Sequence, residues 1–504
     1  MAIDWTDFIN SDQSFLEAYA GHGKTTAIAD CLLQSAQDSH FLILTHTHAG
    51  IASLVKKFKS KSIPPSKYQL ETIDGFSQRI VLSQQNDENL PSQEDKSYFK
   101  ITVQICTELL KSKRIQYIMG ITYNGVFVDE YQDCSPEQHQ MILALTQRIP
   151  LHCFGDHMQG IFSFTDECIV DLMKDISSFK KFYHLTYPWR WHPDNLPLGN
   201  KIKEMREELE INNSILLTNS PNENVYVYQY PNCTIYEQEY GKFLRNVINV
   251  HSSKSMLVIC PSYYEVDKRG MNRLRGGLND RIELKSKIDF NNSYILLDAL
   301  DAEFYYSAAN RLDKYILDCI NNRRIKRKAH LFDLLVEKLF IQKTGLGKWI
   351  DRNKNGFKKR TGENLKLYSK LSELYDIFES DPSNKTLYPI LEYILHLPEI
   401  KCSHLHCFYE VLRVIKCSIE DSSSIFEAMK QNKTRIRHMG RHIEGKCIGT
   451  TLLTKGLEFD TVIICDADKF EDKKHFYVAI SRACKQLVIL THSAQISFKN
   501  NKYL

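Results

Sequence analysis

The sequence predicts an α/β protein with two domains built on parallel sheets, the second interrupted by a long helical insertion. Three observations carry this. Six short runs are continuously apolar, namely FLILT (41–45), VFVD (126–129), LHCFG (151–155), MLVIC (256–260), TVIICDAD (461–468) and LVILT (487–491). A strand covered by helices on both faces requires such a run, whereas a half-exposed strand alternates. The runs form two groups, one within the first 160 residues and one split between about 185–290 and 447–495. Between the halves of the second group, LLDALDAEFYYSAANRLDKYILDCI and ENLKLYSKLSELYDIFES space their apolar residues as amphipathic helices do.

Composition narrows the function classes. The 504 residues carry 65 Lys+Arg against 61 Asp+Glu, with 43% hydrophobic and 25% charged residues. That balance excludes wholesale disorder and a histone-like polycation, and it permits a local nucleic-acid groove. No apolar run is long enough to cross a membrane, and MAIDWTDFINSD has neither the basic start nor the apolar stretch of a secretory leader. The 14 cysteines are scattered without CxxC pairs, as reduced thiols of a cytoplasmic protein are. Cys402, His404, His406 and Cys407 crowd together in KCSHLHCF, too tightly for a zinc-finger loop, and read as ordinary core and surface residues. Residues 323–360 hold thirteen Lys/Arg against three acids, which suits a solvated face or a contact to phosphates. The polar, helical stretch at about 77–120 is either a DNA-facing subdomain or a connector.

The strongest local signal is AYAGHGKTT, Ala18 to Thr26, which has the form A-x-x-x-x-G-K-T of a P-loop. Gly21 and Gly23 let the backbone, with His22 between them, bend so that successive N–H groups face a phosphate. Lys24 supplies a point charge to the β- and γ-phosphates, the Thr25 hydroxyl can ligate Mg²⁺, and Thr26 continues the donor-rich helix start. Downstream, VFVDEYQD (126–133) is a strand ending in two acids. Asp129 suits the Mg²⁺ shell and Glu130 the polarisation of an attacking water.

Together with GDHMQGIFSF (155–164), TKGLEF (454–459) and YVAISRA (477–483), these motifs resemble the UvrD/Rep/PcrA group of superfamily 1A helicases, in order, from Ala18 to Arg482. The resemblance implies two RecA-like P-loop NTPase domains with helical insertions, the 1A/1B/2A/2B arrangement. It places domain 1A at 1–184 with a small 1B-like insertion at about 77–120, domain 2A at 185–290 plus 441–504, and a 2B-like insertion at 291–440. It also implies an ATP hydrolase using ATP and Mg²⁺, with DNA as partner and 3′→5′ polarity. Gln159 is then the γ-phosphate sensor, and Phe162 and Phe164 stack on single-stranded bases. YPWRW (187–191) puts Trp189 on the adenine and Arg190 at the γ-phosphate, with Arg482 as the second arginine finger and Glu458 near the ribose. Thr47 and His48 in THTHAG, Thr72 in TIDGF and Thr450 before TKGLEF match the family's DNA-contact positions.

The chain departs from the family pattern at several points. Gln13 lies closer to the P-loop than the family's upstream Gln, Leu452 stands where motif V carries His, and Pro188 replaces an Asn. The 22 residues after Arg482 leave no room for an attached nuclease domain. This short form is similar to the helicase-like subunits of Gabija antiphage systems, which implies a hetero-oligomer with a TOPRIM and ABC-ATPase type nuclease subunit. Two other readings stand beside it: an ATPase sensor that regulates a nuclease without unwinding, and a standalone repair helicase.

Overall fold

Continuous apolar strands need two covered faces, and the chain meets that need twice. In a computed structural model that describes residues 3–84, 90–91, 97–161, 170, 172–177, 179–230, 234–266, 272–291, 293–297, 302–321, 326–402, 405–439 and 445–499, two six-stranded sheets form. The first contains β1 (Gln13–Ala18), β2 (Phe41–Thr45), β3 (Tyr68–Thr72), β4 (Gly125–Val128), β5 (Leu151–Gly155) and β6 (Lys181–Leu185). Its strand order is β3-β2-β4-β5-β1-β6, and every neighbouring pair is parallel. The second contains β7 (Val225–Gln229), β8 (Met256–Ile259), β9 (Tyr294–Leu296), β10 (Lys446–Gly449), β11 (Phe459–Ile464) and β12 (Ala483–Thr491), in the parallel order β9-β10-β8-β11-β12-β7. This is the predicted α/β class, two parallel-sheet lobes consistent with two RecA-like helicase domains.

Helix starts follow local chemistry. Ser135 closes a capping box with Gln138 at the head of α6 (Pro136–Leu145), and Pro136 sits where its missing N–H costs nothing. Helix α1 (Lys24–Gln34) begins directly after the left-handed Gly23, so the P-loop turns straight into a helix N-terminus. Thr47 and Thr72 open α2 (His48–Ser60) and α3 (Ile73–Gln84), each hydroxyl accepting from a backbone N–H three residues on, Gly50 and Gly75, at 3.0 Å.

The described residues of the stretch at about 77–120 pack on the first sheet. Helices α3, α4 (Tyr98–Leu110) and α5 (Lys113–Thr122) pack Phe76, Ile80, Val103, Cys106, Leu110 and Met119 against Leu42, Leu44, Val126 and Val128 of the first sheet. They are one of its covering layers. The sheet also reaches further than the sequence suggests at its other boundary: Tyr294–Leu296, which falls in the helical insertion on sequence grounds, pairs with β10 as the edge strand β9.

Residues 299–437 form a second compact unit. Its helices, among them Ala302–Asn321, Arg327–Glu337, Asn364–Ser380, Asn384–Leu395 and Leu405–Glu420, enclose Trp349, Tyr375, Phe378 and Leu391, and the Trp349 indole N–H donates to Pro398 O at 3.0 Å. Part of the basic segment is answered within this unit. Arg327 and Lys328 face Glu379, Arg352 pairs with Asp333 at 2.5 Å, and Lys348 and Arg360 share Glu399, while Lys326, Lys354, Lys358 and Lys359 remain exposed. Cys402 Sγ donates to Leu339 O at 3.3 Å and Cys407 is buried in the core; His404 and the His406 ring lie outside the described residues. Among the described residues no helix is long and apolar enough to cross a membrane.

Because α3 is integral to the first sheet's core, Phe76→Ala is expected to cost about 3–5 kcal/mol. Urea unfolding followed by circular dichroism checks this. A loss below about 1 kcal/mol contradicts a shared core.

Candidate nucleotide site

Parallel strands all end at one edge, so the loops leaving β1, β4 and β5 converge there. They deliver the P-loop, Asp129–Glu130 and Gln159 to the floor of a cleft of about 990 Å³. The same cleft is lined from the second lobe by Lys455, Gly456, Leu457, Glu458 and Arg482, and by Trp189 and Arg190 of the segment after β6. Gly21, Gly23, Lys24, Thr25, Thr26, Asp129, Glu130, Gln159, Trp189, Arg190, Glu458 and Arg482 are therefore brought to one cavity.

The P-loop's glycines serve a second purpose. Gly21 adopts φ +74° and Gly23 φ +99°; a Cβ on Gly21 would lie 2.9 Å from Arg190 Cβ and from the Trp191 ring, and one on Gly23 would lie 3.1 Å from Trp189 Cδ1. Bareness at these positions lets the WRW segment seat on the loop, where Arg190 N donates to Gly21 O at 2.9 Å. Trp191 is buried and donates from its indole to Ala483 O at 2.9 Å, and Trp189 stands exposed at the rim.

Charge sets the floor. Lys24 Nζ lies 3.6 Å from Glu130 and donates to Ala18 O at 3.3 Å. Burial and then the neighbouring Glu130 charge push the Asp129 carboxyl up to about 7, with Lys24 pulling the other way. Glu130, a third exposed, is also pushed up by desolvation, but the Lys24 and Lys455 charges outweigh this and hold its carboxyl below the usual value. Gln132 ties this acid to the next loop: its amide donates to Glu130 at 2.5 Å and its carbonyl accepts from Asp156 N at 3.0 Å. Gln159 in turn donates to Asp156 at 2.8 Å.

The two arginines are held differently. Arg190 donates to Ser481 O at 2.6 Å and to Glu458 at 2.7 Å. Arg482 is buried and donates to the carbonyls of Val478 and Leu457 and to the Ser481 hydroxyl. Burial, then the adjacent Arg190 charge, brings its guanidinium down to about 10.

Several expected residues sit elsewhere. The His22 side chain does not face the cleft: it packs between the Tyr19 and Trp191 rings, its Nδ1 bonds Ala20 O at 2.9 Å, and burial brings it down to about 4. Ala18 is buried at the end of β1 and offers only its carbonyl, to Lys24. Of the expected DNA contacts, Thr47 lines the cleft's extension toward α4, beside His46, Ser53, Lys57 and Phe99. Thr72 and Thr450 are buried, and His48 is half-buried. Phe162 and Phe164 lie outside the described residues.

Sequence reasoning missed Lys455, whose ammonium reaches both oxygens of Asp133 and Gln159 O at 2.6 Å. It also missed Tyr477, which donates to Asp156 and accepts from Ala20 N, both at 2.8 Å. Both stand inside motifs the sequence displays, TKGLEF and YVAISRA, so their positions were visible although their partners were not.

Thr25 and Asp129 are the residues that fit Mg²⁺: Asp129 is a buried carboxylate whose charged form burial and Glu130 disfavour, a cost that a divalent cation would relieve. With a folded value near 7 against about 3.9 unfolded, the native state holds the proton between those limits, so this group's contribution to stability falls as pH rises through that window. Asp129→Asn is therefore expected to raise the melting midpoint at pH 8 by about 2–4 °C, a gain that vanishes near pH 4. Mg²⁺ with a non-hydrolysable ATP analogue should stabilise the wild type more than this variant. Scanning calorimetry across pH checks both, and a gain that grows toward acid pH contradicts the assignment.

Comparison with known proteins adds two family models. Residues 82–180 match the UvrD/REP helicase N-terminal domain, and residues 368–491 match the viral superfamily 1 RNA helicase core domain. No curated protein matches. Among solved structures, the arterivirus nonstructural protein 10 helicase in complex with DNA aligns at 15% identity with a TM-score of 0.25, over 47% of this chain and 50% of that one. The chain thus spans about half the length of that helicase. The two matched segments hold the Asp129–Glu130 and Asp156–Gln159 loops of the first lobe and Lys455, Glu458 and Arg482 of the second; both segments are thus similar to superfamily 1 helicase domains.

Proposed function

We propose that the chain is an ATP-driven, DNA-stimulated translocase or helicase. The observation that carries this reading is the convergence of Lys24, Asp129, Glu130, Gln159, Arg190 and Arg482, drawn from both lobes, on one cleft. Each has a task. Lys24 and the backbone N–H groups after Gly21 bind the β- and γ-phosphates, at a helix N-terminus that favours anions. Thr25 and Asp129 would hold Mg²⁺, which would supply charge neutralisation. Glu130, kept ionised by Lys24 and Lys455, orients and deprotonates the attacking water. Arg190 and Arg482 balance charge that spreads over the γ-phosphate, Arg190 by exchanging Glu458 for phosphate, and Trp189 offers its face to the base.

Because these arginines come from the second lobe, nucleotide draws the lobes together and hydrolysis releases them. Repeated closure against a bound strand is translocation, with 3′→5′ polarity by resemblance to the UvrD group. Single-stranded DNA is the proposed track, with Thr47, His48, Phe162 and Phe164 as its candidate contacts; the burial of Thr72 and Thr450 removes them from that set. In the finer reading the chain is the helicase-like subunit of a Gabija-like defence complex, acting with a TOPRIM and ABC-ATPase type nuclease.

ATP turnover of the purified chain, with and without single-stranded DNA, tests this. Turnover rises with DNA, and Lys24→Ala and Glu130→Gln each lower it at least about 100-fold. Arg482→Ala lowers kcat more than it raises KM. A rate indifferent to DNA and to Lys24→Ala overturns the reading. Stimulation by single-stranded RNA equal to that by DNA overturns the choice of track.

A further inference from the structure

One fully buried cation lies outside the roles assigned above. Arg206 sits on α7 (Leu196–Ile211), a helix that packs Leu198, Ile202 and Leu209 into the core of the second lobe. Its guanidinium nevertheless belongs to the first lobe's charge pattern. One terminal nitrogen donates at 3.0 Å to Asp156 and at 3.0 Å to Glu17, the residue before the P-loop's Ala18. The other donates to Glu210 at 2.5 Å, and the guanidinium carbon stands 3.5 Å from the centre of the Tyr19 ring. Glu17, Asp156 and His157 converge closely enough to hold a metal ion, and Arg206 already supplies positive charge there.

Asp156 is the hub of this network. Besides Arg206 it accepts from Met158 N at 3.2 Å, from the Gln159 amide at 2.8 Å and from the Tyr477 hydroxyl at 2.8 Å. Its own N–H donates to Gln132, which holds Glu130. A chain of direct contacts therefore runs from α7 through Asp156 to the γ-phosphate sensor on one branch and to the water-activating acid on the other. Tyr477 closes a third branch onto Ala20 N of the P-loop.

We infer that Arg206 is a positioning residue for ATP hydrolysis: through Asp156 it fixes Gln159 and, by way of Gln132, Glu130 in register with the second lobe. The inference rests on the hydrolytic reading of the cleft given above. Arg206 does not line the cleft, although the Tyr19 ring it stacks on does, and its link to the catalytic groups runs through Asp156. A planar fork can face both acids and Glu210 at once, which an ammonium on a flexible stem does less well. Without the guanidinium, buried Asp156 loses its direct ion-pair partner, and the turn it caps keeps the Tyr477 and Lys455 links to the second lobe but not the one from α7.

The test is a double-mutant cycle in ATP turnover at saturating single-stranded DNA, using Arg206→Met, Asp156→Asn and the double variant, with Arg206→Lys as the conservative replacement and melting midpoints measured throughout. Arg206→Met should lower kcat at least about 30-fold while KM for ATP stays within about threefold, and Arg206→Lys should recover part of the loss. The double variant should turn over no more slowly than the worse single, because both substitutions break one link. Should Arg206→Met fail to fold, Arg206→Lys against Asp156→Asn and their combination make the same comparison. Losses in kcat that multiply, or wild-type kcat in a folded Arg206→Met, overturn the inference. Absence of Lys24-dependent turnover in the wild type overturns instead the hydrolytic reading, and this inference with it.

Discussion

Everything at the cleft follows from carboxylates collected at one edge of a parallel sheet. The loops after β4 and β5 place Asp129, Glu130, Asp133 and Asp156 close together, and all but Glu130, a third exposed, have side chains almost wholly removed from water. Buried charges of one sign are costly unless cations meet them. Only one of those cations, Lys24, comes from the same lobe. Lys455 answers Asp133 and Arg206 answers Asp156, and both ride on the second lobe. Burial pushes the Asp133 carboxyl up to about 6 against the pull of Lys455, while Asp156, equally buried, is held down to about 2 by Arg206, Lys24 and the Gln159 amide. The first lobe's acids thus set where the second lobe must sit.

Apolar packing supports the same placement without specifying it. Ala20 and Met158 of the first lobe share a core with Trp191, Ile202, Tyr477 and Ile480 of the second. Such a contact tolerates small slides, since burial depends on area rather than direction. The hydrogen bonds do not: Tyr477 must lie within reach of Asp156 and Ala20 N together, and Lys455 within reach of Asp133 and Gln159 O together. Burial therefore supplies attraction between the lobes, and the polar links supply register.

How much of this the sequence showed depends on which force shaped each element. β2, β4, β5 and β8 are buried at every position and announced themselves as apolar runs. The edge strands β3, β6 and β9 are partly exposed, and β1 carries Ser14 and Glu17, so the same criterion passed over them. The residues gathered in the cleft were legible because phosphate chemistry demands particular residue types at fixed spacing. Thr47 and Thr72 matched a motif, yet in the structure each hydroxyl caps a helix, a task that sequence spacing does not separate from ligand contact. Arg206 was invisible: in KEMREELE it reads as one more charge on a solvated helix, and only the fold reveals that its partners lie 50 and 189 residues away.

The second lobe's arginines show what the acid edge leaves unbalanced. Arg206 and Lys455 are matched by carboxylates, but Arg482 is held by carbonyl and hydroxyl oxygens, and Arg190 by one carbonyl and by Glu458, whose side chain is half exposed. Neutral oxygens orient a guanidinium without cancelling its charge. Two such groups repel each other, as the lowering of Arg482 to about 10 by burial and by Arg190 records. The wall of the cleft formed by these arginines therefore carries the Arg482 charge, met by neutral oxygens, and the Arg190 charge, paired with half-exposed Glu458, opposite a loop of backbone N–H groups and Lys24. An anion bearing several charges along its length, placed between them, satisfies both sides at once. A singly charged anion answers one side and leaves the other unmatched, so the charge arrangement suits a polyphosphate better than a simple anion.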